Sequence, residues 1–306
     1  MRTPTGTRPG RRRVLRPSSG PGPGPHPGPS EPPVGRGFAL LCASVAAGLV
    51  ANSVCGPLVL DLIDYPFAAT IENQLIGLEL VSVFLVVPLC LVAGVLALRG
   101  HPAAGPLAFG PSAYTAYMLV QYVLGPEYAA YVPAAVLQLV LFVLSLVLAV
   151  WAWSRSVSLG DAIPAGRRRA YGLALIALGG FVLSRYASGL AGAPAHTPIP
   201  AEFAASRTFY WSIFLLDLGV VVPGTVAAAV SVLRGGRLAG ASLYAVVGWF
   251  ALVPPSVASM GIVMVARDDP YASVPQVLVL STVAVLFAAF AVVVFRPLFG
   301  REAVTG

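Results

Sequence analysis

The chain has no lysine; all 19 of its basic residues are arginine. Charge of either sign is scarce: charged residues make up 10% of 306 positions, against roughly a quarter in soluble domains. Histidine is nearly absent. His26 falls in a Pro/Gly-rich tail and His101 and His196 fall in connecting turns, so a bis-His haem bundle or an intramembrane zinc site lacks its ligands. The three cysteines, Cys42, Cys55 and Cys90, are odd in number and sit inside apolar runs, where they read as small polarisable packing residues. No H-E-x-x-H, G-x-S-x-G or phosphate-loop sequence occurs. No catalytic residue, metal ligand or cofactor is expected from these motifs.

What the chain has in abundance is apolar length. Hydrophobic residues are 57% of the sequence and mean hydropathy is +0.83. A hydrocarbon core about 30 Å thick needs roughly 20 helical residues to cross it. Eight runs qualify: Phe38–Leu60, Leu75–Leu98, Pro102–Leu124, Tyr131–Trp153, Ala170–Leu190, Thr208–Leu233, Leu238–Ala266 and Val274–Phe295. They are continuously apolar and lack the period-two alternation of barrel strands, and a helix satisfies its backbone within its own segment. The expected fold class is all-α, a polytopic transmembrane bundle of eight spans. The first run starts too far along the chain, and is too long, for a cleaved signal peptide. Neither Cys42 nor Cys55 follows a small residue, which argues against a lipoprotein signal.

Arginine placement gives a direction. Seven arginines, from Arg2 to Arg36, precede the first run; Arg99 follows the second, Arg155 and Arg167–Arg169 the fourth, Arg234 and Arg237 the sixth, and Arg296 and Arg301 the eighth. Arg185, Arg207 and Arg267 lie elsewhere, and acids such as Asp61, Glu127, Glu202 and Asp269 favour the intervening loops. The positive-inside rule then puts both termini in the cytoplasm of a cell (plasma) membrane. Residues 1–36, with Pro21–Pro29 at their centre, read as a disordered tail. Its arginines fit anionic lipid headgroups, and no specific nucleic-acid binding is expected.

The second and sixth runs share a spacing. Val86-Val87-Pro88 leads to Leu98-Arg99-Gly100, and Val221-Val222-Pro223 leads to Leu233-Arg234-Gly235. Ala104-Gly105 and Ala239-Gly240 follow at matching distances. This implies two parallel four-helix repeats, residues 37–153 and 170–299, joined by a cytoplasmic linker at 154–169. Such paired halves recur in transporters, with the site between them, and also in proteins that transport nothing.

Polar groups inside the apolar runs are the candidate site. Ionisable residues there cost roughly 2.5–3.5 kcal/mol on insertion scales and face a bundle interior or a cavity. Glu79, Arg185 and Asp217 qualify, all in the outer half of their runs, with Asn52 and Gln121 at similar depth. Tyr114, Tyr117 and Gln121 form one helical stripe. Asp217, Arg185 and Glu79 are expected to converge in one cluster, because mutual pairing or a shared wet cavity offsets their desolvation. Pro254-Pro255 should kink or break the seventh run, with Ser256 and Ser259 placed to bond the freed carbonyls. Asp268-Asp269 reads as solvated, and Gly179-Gly180 as a point of close helix approach.

The runs Gly77-Leu78-Glu79-Leu80 to Val87-Pro88 and Leu216-Asp217-Leu218-Gly219 to Val222-Pro223, with the Tyr-rich third run, resemble a group of uncharacterised bacterial eight-span membrane proteins. Glu79 stands where that pattern has Asp. The resemblance implies topology and no activity; the Arg-rich, Lys-free composition fits a GC-rich bacterial genome. Three functions stay open. One is a small-solute or ion permease or binder with a polar cavity open to the extracytoplasmic side. The second is an accessory membrane protein with a buried ion-pair cluster. The third is an enzyme acting on lipid or an envelope precursor, with Glu79 or Asp217 as general base. Beyond the lipid bilayer and a small solute or ion, no partner or oligomeric state is legible.

Overall fold

The computed structural model describes residues 34–63, 65–160 and 163–300. The expected tail lies outside these residues except for its last three positions, which open the first helix. The described chain is helical throughout, with no strand. In chain order the helices are α1 (Val34–Cys55), α2 (Ala69–Leu98), α3 (Ala104–Leu124), α4 (Pro133–Val157), α5 (Arg168–Ser184), the short α6 (Ala187–Gly192), α7 (Arg207–Arg234), α8 (Ala239–Ala266) and α9 (Val274–Phe299).

Among the described residues, six helices are long and apolar enough to cross a membrane, or seven if the pair bent by 50° around Arg185-Tyr186 counts as one span. The segment that falls short is α3. It is a continuous helix of 21 residues, 14 of them buried, and Tyr114, Tyr117, Gln121 and Tyr122 dilute its apolarity. It packs against α2, α4, α7 and α8. A helix enclosed by protein can be polar where one facing lipid cannot. The reverse holds for α9, which buries only Val294 and Leu298 and leaves Leu278, Val279, Val285, Leu286 and Val292 exposed. An apolar exterior of that extent calls for a lipid or protein cover.

α2 and α7 contain the same local departure. Each widens into a π-turn, Ser82–Val86 in one and Asp217–Val221 in the other, immediately before a Val-Pro pair. Proline has no N–H for the i→i−4 bond and its ring crowds the preceding turn. The chain opens to i→i−5 bonding instead: Val87 N–H donates to Ser82 O, and Val222 N–H to Asp217 O. Beyond each proline, Val87–Leu98 packs on α1 and Val222–Arg234 packs on α5.

α8 breaks as its prolines require. Regular helix stops at Phe250 and resumes at Val253, with Pro254-Pro255 in the first turn, where a missing N–H costs least. Ser256 Oγ donates to Leu252 O at 2.8 Å. The part before the break lies on α3, and the part after it on the start of α2. Both contacts are backbone-close: a Cβ on Gly110 would come 2.6 Å from Gly248 C, and one on Gly77 2.5 Å from Met260 Cα. Gly179-Gly180 is different. A Cβ on Gly179 would meet Thr225 at an ordinary 3.6 Å and one on Gly180 would meet nothing within 4 Å, so the expected close approach is at Gly77 and Gly110.

Candidate binding cavity

Asp217 opens the π-turn of α7 and is buried. Tyr117 OH donates to its Oδ1 at 2.8 Å and Tyr186 OH to its Oδ2 at 2.6 Å. Tyr186 reaches it because α5 ends at Ser184 and the chain turns through Arg185-Tyr186 before α6. Two phenol donors compensate the buried carboxylate, yet each oxygen keeps a lone pair to spare. The Trp249 ring lies edge-on to Tyr117 at 5.6 Å. One turn back on α3, Tyr114 OH lies 2.6 Å from Ser256 Oγ. Ser256 spends its proton on Leu252 O, so Tyr114 is the donor, and this bond links α3 to α8.

Asp217, Tyr117, Tyr114, Trp249 and Ser256 wall a cavity of about 150 Å³. Its polar lining includes Asp217, Tyr117, Gln121, Arg185, Glu202 and the indole of Trp249. An engineered apolar cavity of the same size takes up benzene. Arg185 is exposed, with its guanidinium carbon 6.0 Å from the centre of the Tyr186 ring. Among the described residues it forms no ion pair with Asp217, Glu79 or Glu202. Opposite charges thus line one space without being spent on each other.

Glu202 stands in the loop between α6 and α7. Burial holds its carboxyl above the ordinary value of 4.5, while Arg185 pulls it down and Asp269 adds to the rise. The folded state therefore binds this proton more tightly than the unfolded chain. The resulting stabilisation is complete below the unfolded value and fades as pH rises through the folded one. Glu202→Gln should flatten that decline, so the variant loses less stability than the parent between pH 4.5 and neutrality. Unfolding temperatures in detergent at the two pH values check this.

Glu79 belongs to a second network. It is fully buried, and Tyr122 OH donates to its Oε1 at 3.3 Å. Nearby, Gln138 Nε2 donates to Tyr65 OH at 3.0 Å and to Asn52 Oδ1 at 3.3 Å, and the Tyr65 and Tyr122 rings meet edge to face at 5.5 Å. The seven candidates therefore divide. Asp217, Arg185, Gln121, Tyr114 and Tyr117 line the cavity; Glu79 and Asn52 do not. Asp217 and Glu79 each lie about 15 Å from the start of their own helix. Different tyrosines meet the two acids, and among the described residues no ion pair joins either acid to Arg185.

Three contributors were hidden in the sequence. Tyr65 lies in a loop, and Gln138 is the one amide in α4, a signal that was there to be used. Asp269 was expected to be solvated but is buried. It accepts from Asn73 Nδ2 at 2.9 Å, Thr70 Oγ1 at 3.4 Å and Tyr271 N at 3.0 Å. Beside it Arg267 donates to Asn73 Oδ1 at 3.2 Å and faces Glu72 at 3.7 Å. This polar latch ties the α8–α9 turn to the start of α2. Comparison with family models, curated proteins and solved structures returns no match, so no relative carries a function to this chain.

Proposed function

We propose that this chain is an eight-span protein of a bacterial plasma membrane, built from two parallel four-helix halves, that binds and passes a small solute from the extracytoplasmic side. α3 supplies the eighth span. The matching π-turns before Pro88 and Pro223 support the duplication, since the same irregularity recurs at the same place in the second helix of each half. The arginine bias supports cytoplasmic termini. Cysteine labelling after Phe67, Tyr128, Pro198 and Asp269 should report outside; protection from an impermeant reagent at two of these would defeat the orientation.

The observation that carries the solute reading is the cavity in which Asp217 and Arg185 stand unpaired. A carboxylate oriented by two tyrosines suits an ammonium group. An arginine at the same space suits a carboxylate, and the Trp249 indole suits the carbon between them. The matching guest is a small zwitterion or amine. A thermal-shift screen of the purified protein should show stabilisation by such compounds and none by neutral sugars or simple carboxylates. A flat response across amines and zwitterions would refute the reading. The Asp269 latch favours a second one, an accessory protein whose buried polar groups only hold the halves together; that protein would show the flat response.

A further inference from the structure

Glu79 raises a separate question, because no cation accompanies it. The side chain is fully buried, its Oε2 has no hydrogen-bond partner, and no guanidinium lies within ion-pair distance among the described residues. Apart from Tyr122 OH, its polar neighbour is the main-chain N–H of Leu58. The carboxylate is also at an electrostatically adverse place. α1 ends at Cys55, and a Cβ on Gly56 would lie 2.9 Å from Asn52 O, 2.9 Å from Glu79 Oε1 and 3.3 Å from Oε2. Glycine thus keeps clear a space where the last turn of α1 and the carboxylate converge. A helix C-terminus carries partial negative charge, so a second negative group there is repelled as well as desolvated.

The surrounding atoms are hard oxygens. Tyr122 OH bonds the carboxylate, and its ring meets that of Tyr65, whose hydroxyl joins Asn52 Oδ1 and Gln138 Nε2; among the described residues Gln138 Oε1 is a second buried acceptor with no partner. A proton on Oε2 would neutralise the acid while Oε1 keeps its bond from Tyr122 OH; a metal cation would instead be attracted by both oxygens and by the helix end. One carboxylate balances one positive charge, whereas divalent sites usually gather several. Helix C-terminal ends and carbonyl oxygens serve as sodium ligands in membrane transporters generally.

We propose that Glu79, with the last turn of α1, forms an occluded site for a dehydrated monovalent cation of sodium's size, separate from the Asp217 cavity. The test uses the purified full-length protein in detergent, with unfolding followed by tryptophan fluorescence in sodium, potassium or choline chloride at equal ionic strength. Sodium should raise the unfolding temperature saturably, by several degrees once it exceeds its dissociation constant about a hundredfold. Choline should have no such effect and potassium a weaker one. Glu79→Gln should abolish the sodium response while unfolding in choline no earlier than the parent, because a neutral amide needs no counter-charge. Tyr122→Phe keeps the carboxylate, and should raise the half-saturating sodium concentration several-fold; it carries the test if the first variant does not fold. Asp217→Asn should leave the response intact. Equal unfolding temperatures in sodium and choline would overturn the proposal, as would a sodium response surviving in Glu79→Gln. A stability that follows pH identically in both salts would assign the charge to a proton and overturn it too.

Discussion

Asp217→Asn should abolish solute stabilisation in a protein that still folds. The two consequences separate because of how the carboxylate is held. Tyr117 and Tyr186 each donate one bond to it, at 2.8 and 2.6 Å. An asparagine keeps one of these with its oxygen, and its amide can donate to the other hydroxyl once that phenol rotates. The scaffold therefore keeps its hydrogen bonds, while an ammonium guest loses its counter-charge in a buried place. Removing one partner of a buried charge pair costs about 3–5 kcal/mol, or more than about a hundredfold in affinity at 1.4 kcal/mol per decade. Isothermal titration with the best amine or zwitterion from the screen measures it. Undiminished affinity in the variant would remove Asp217 from the site.

The largest effect on stability should come from Gly77→Leu. The new Cβ would lie 2.5 Å from both Met260 Cα and Met260 N. No rotamer relieves a clash with main chain, so α2 and α8 must move apart. Overpacked cores lose typically about 1–3 kcal/mol, and a backbone contact belongs at the upper end. The unfolding temperature should fall by about 5–10 °C. The same shift should loosen the cavity wall, since Gln74 and Leu78 on α2 face Ser256 and Met260 on α8 across it. Gly180→Ala is the matched control: it meets open space and should change little. A drop of equal size in both variants would show that helix-packing distance is not the cause.

Helix content and positions were open to a reading of residues alone, because each apolar run is long enough to exceed any soluble alternative. α3 was found by its length but does not reach the hydropathy of its neighbours, since its surroundings are protein. The polar stripe Tyr114, Tyr117, Gln121 was legible for the same reason: polar residues on a membrane helix need somewhere to point. Which acid they point at was not. Position along each helix is readable from counting; partnership depends on tertiary packing that counting cannot supply. Asp269 shows the converse error. An acid on a short loop looks solvated until Asn73 and Thr70, nearly two hundred positions away in sequence, close over it.

The π-turns bear on one last matter. Each inserts an extra residue into a turn, and one residue is about 100° of rotation. Everything before Pro88 and Pro223 is therefore out of phase with everything after it, and a single helical wheel drawn along α2 or α7 is wrong for one of its halves. Asp217 occupies the first position of that insertion and Ser82 the corresponding one in α2. The azimuth of the carboxylate is thus set by Pro223, which lies beyond the end of the π-turn and does not itself line the cavity. In this architecture the aim of the polar group and the identity of the polar group are encoded at different positions, so each can change without the other.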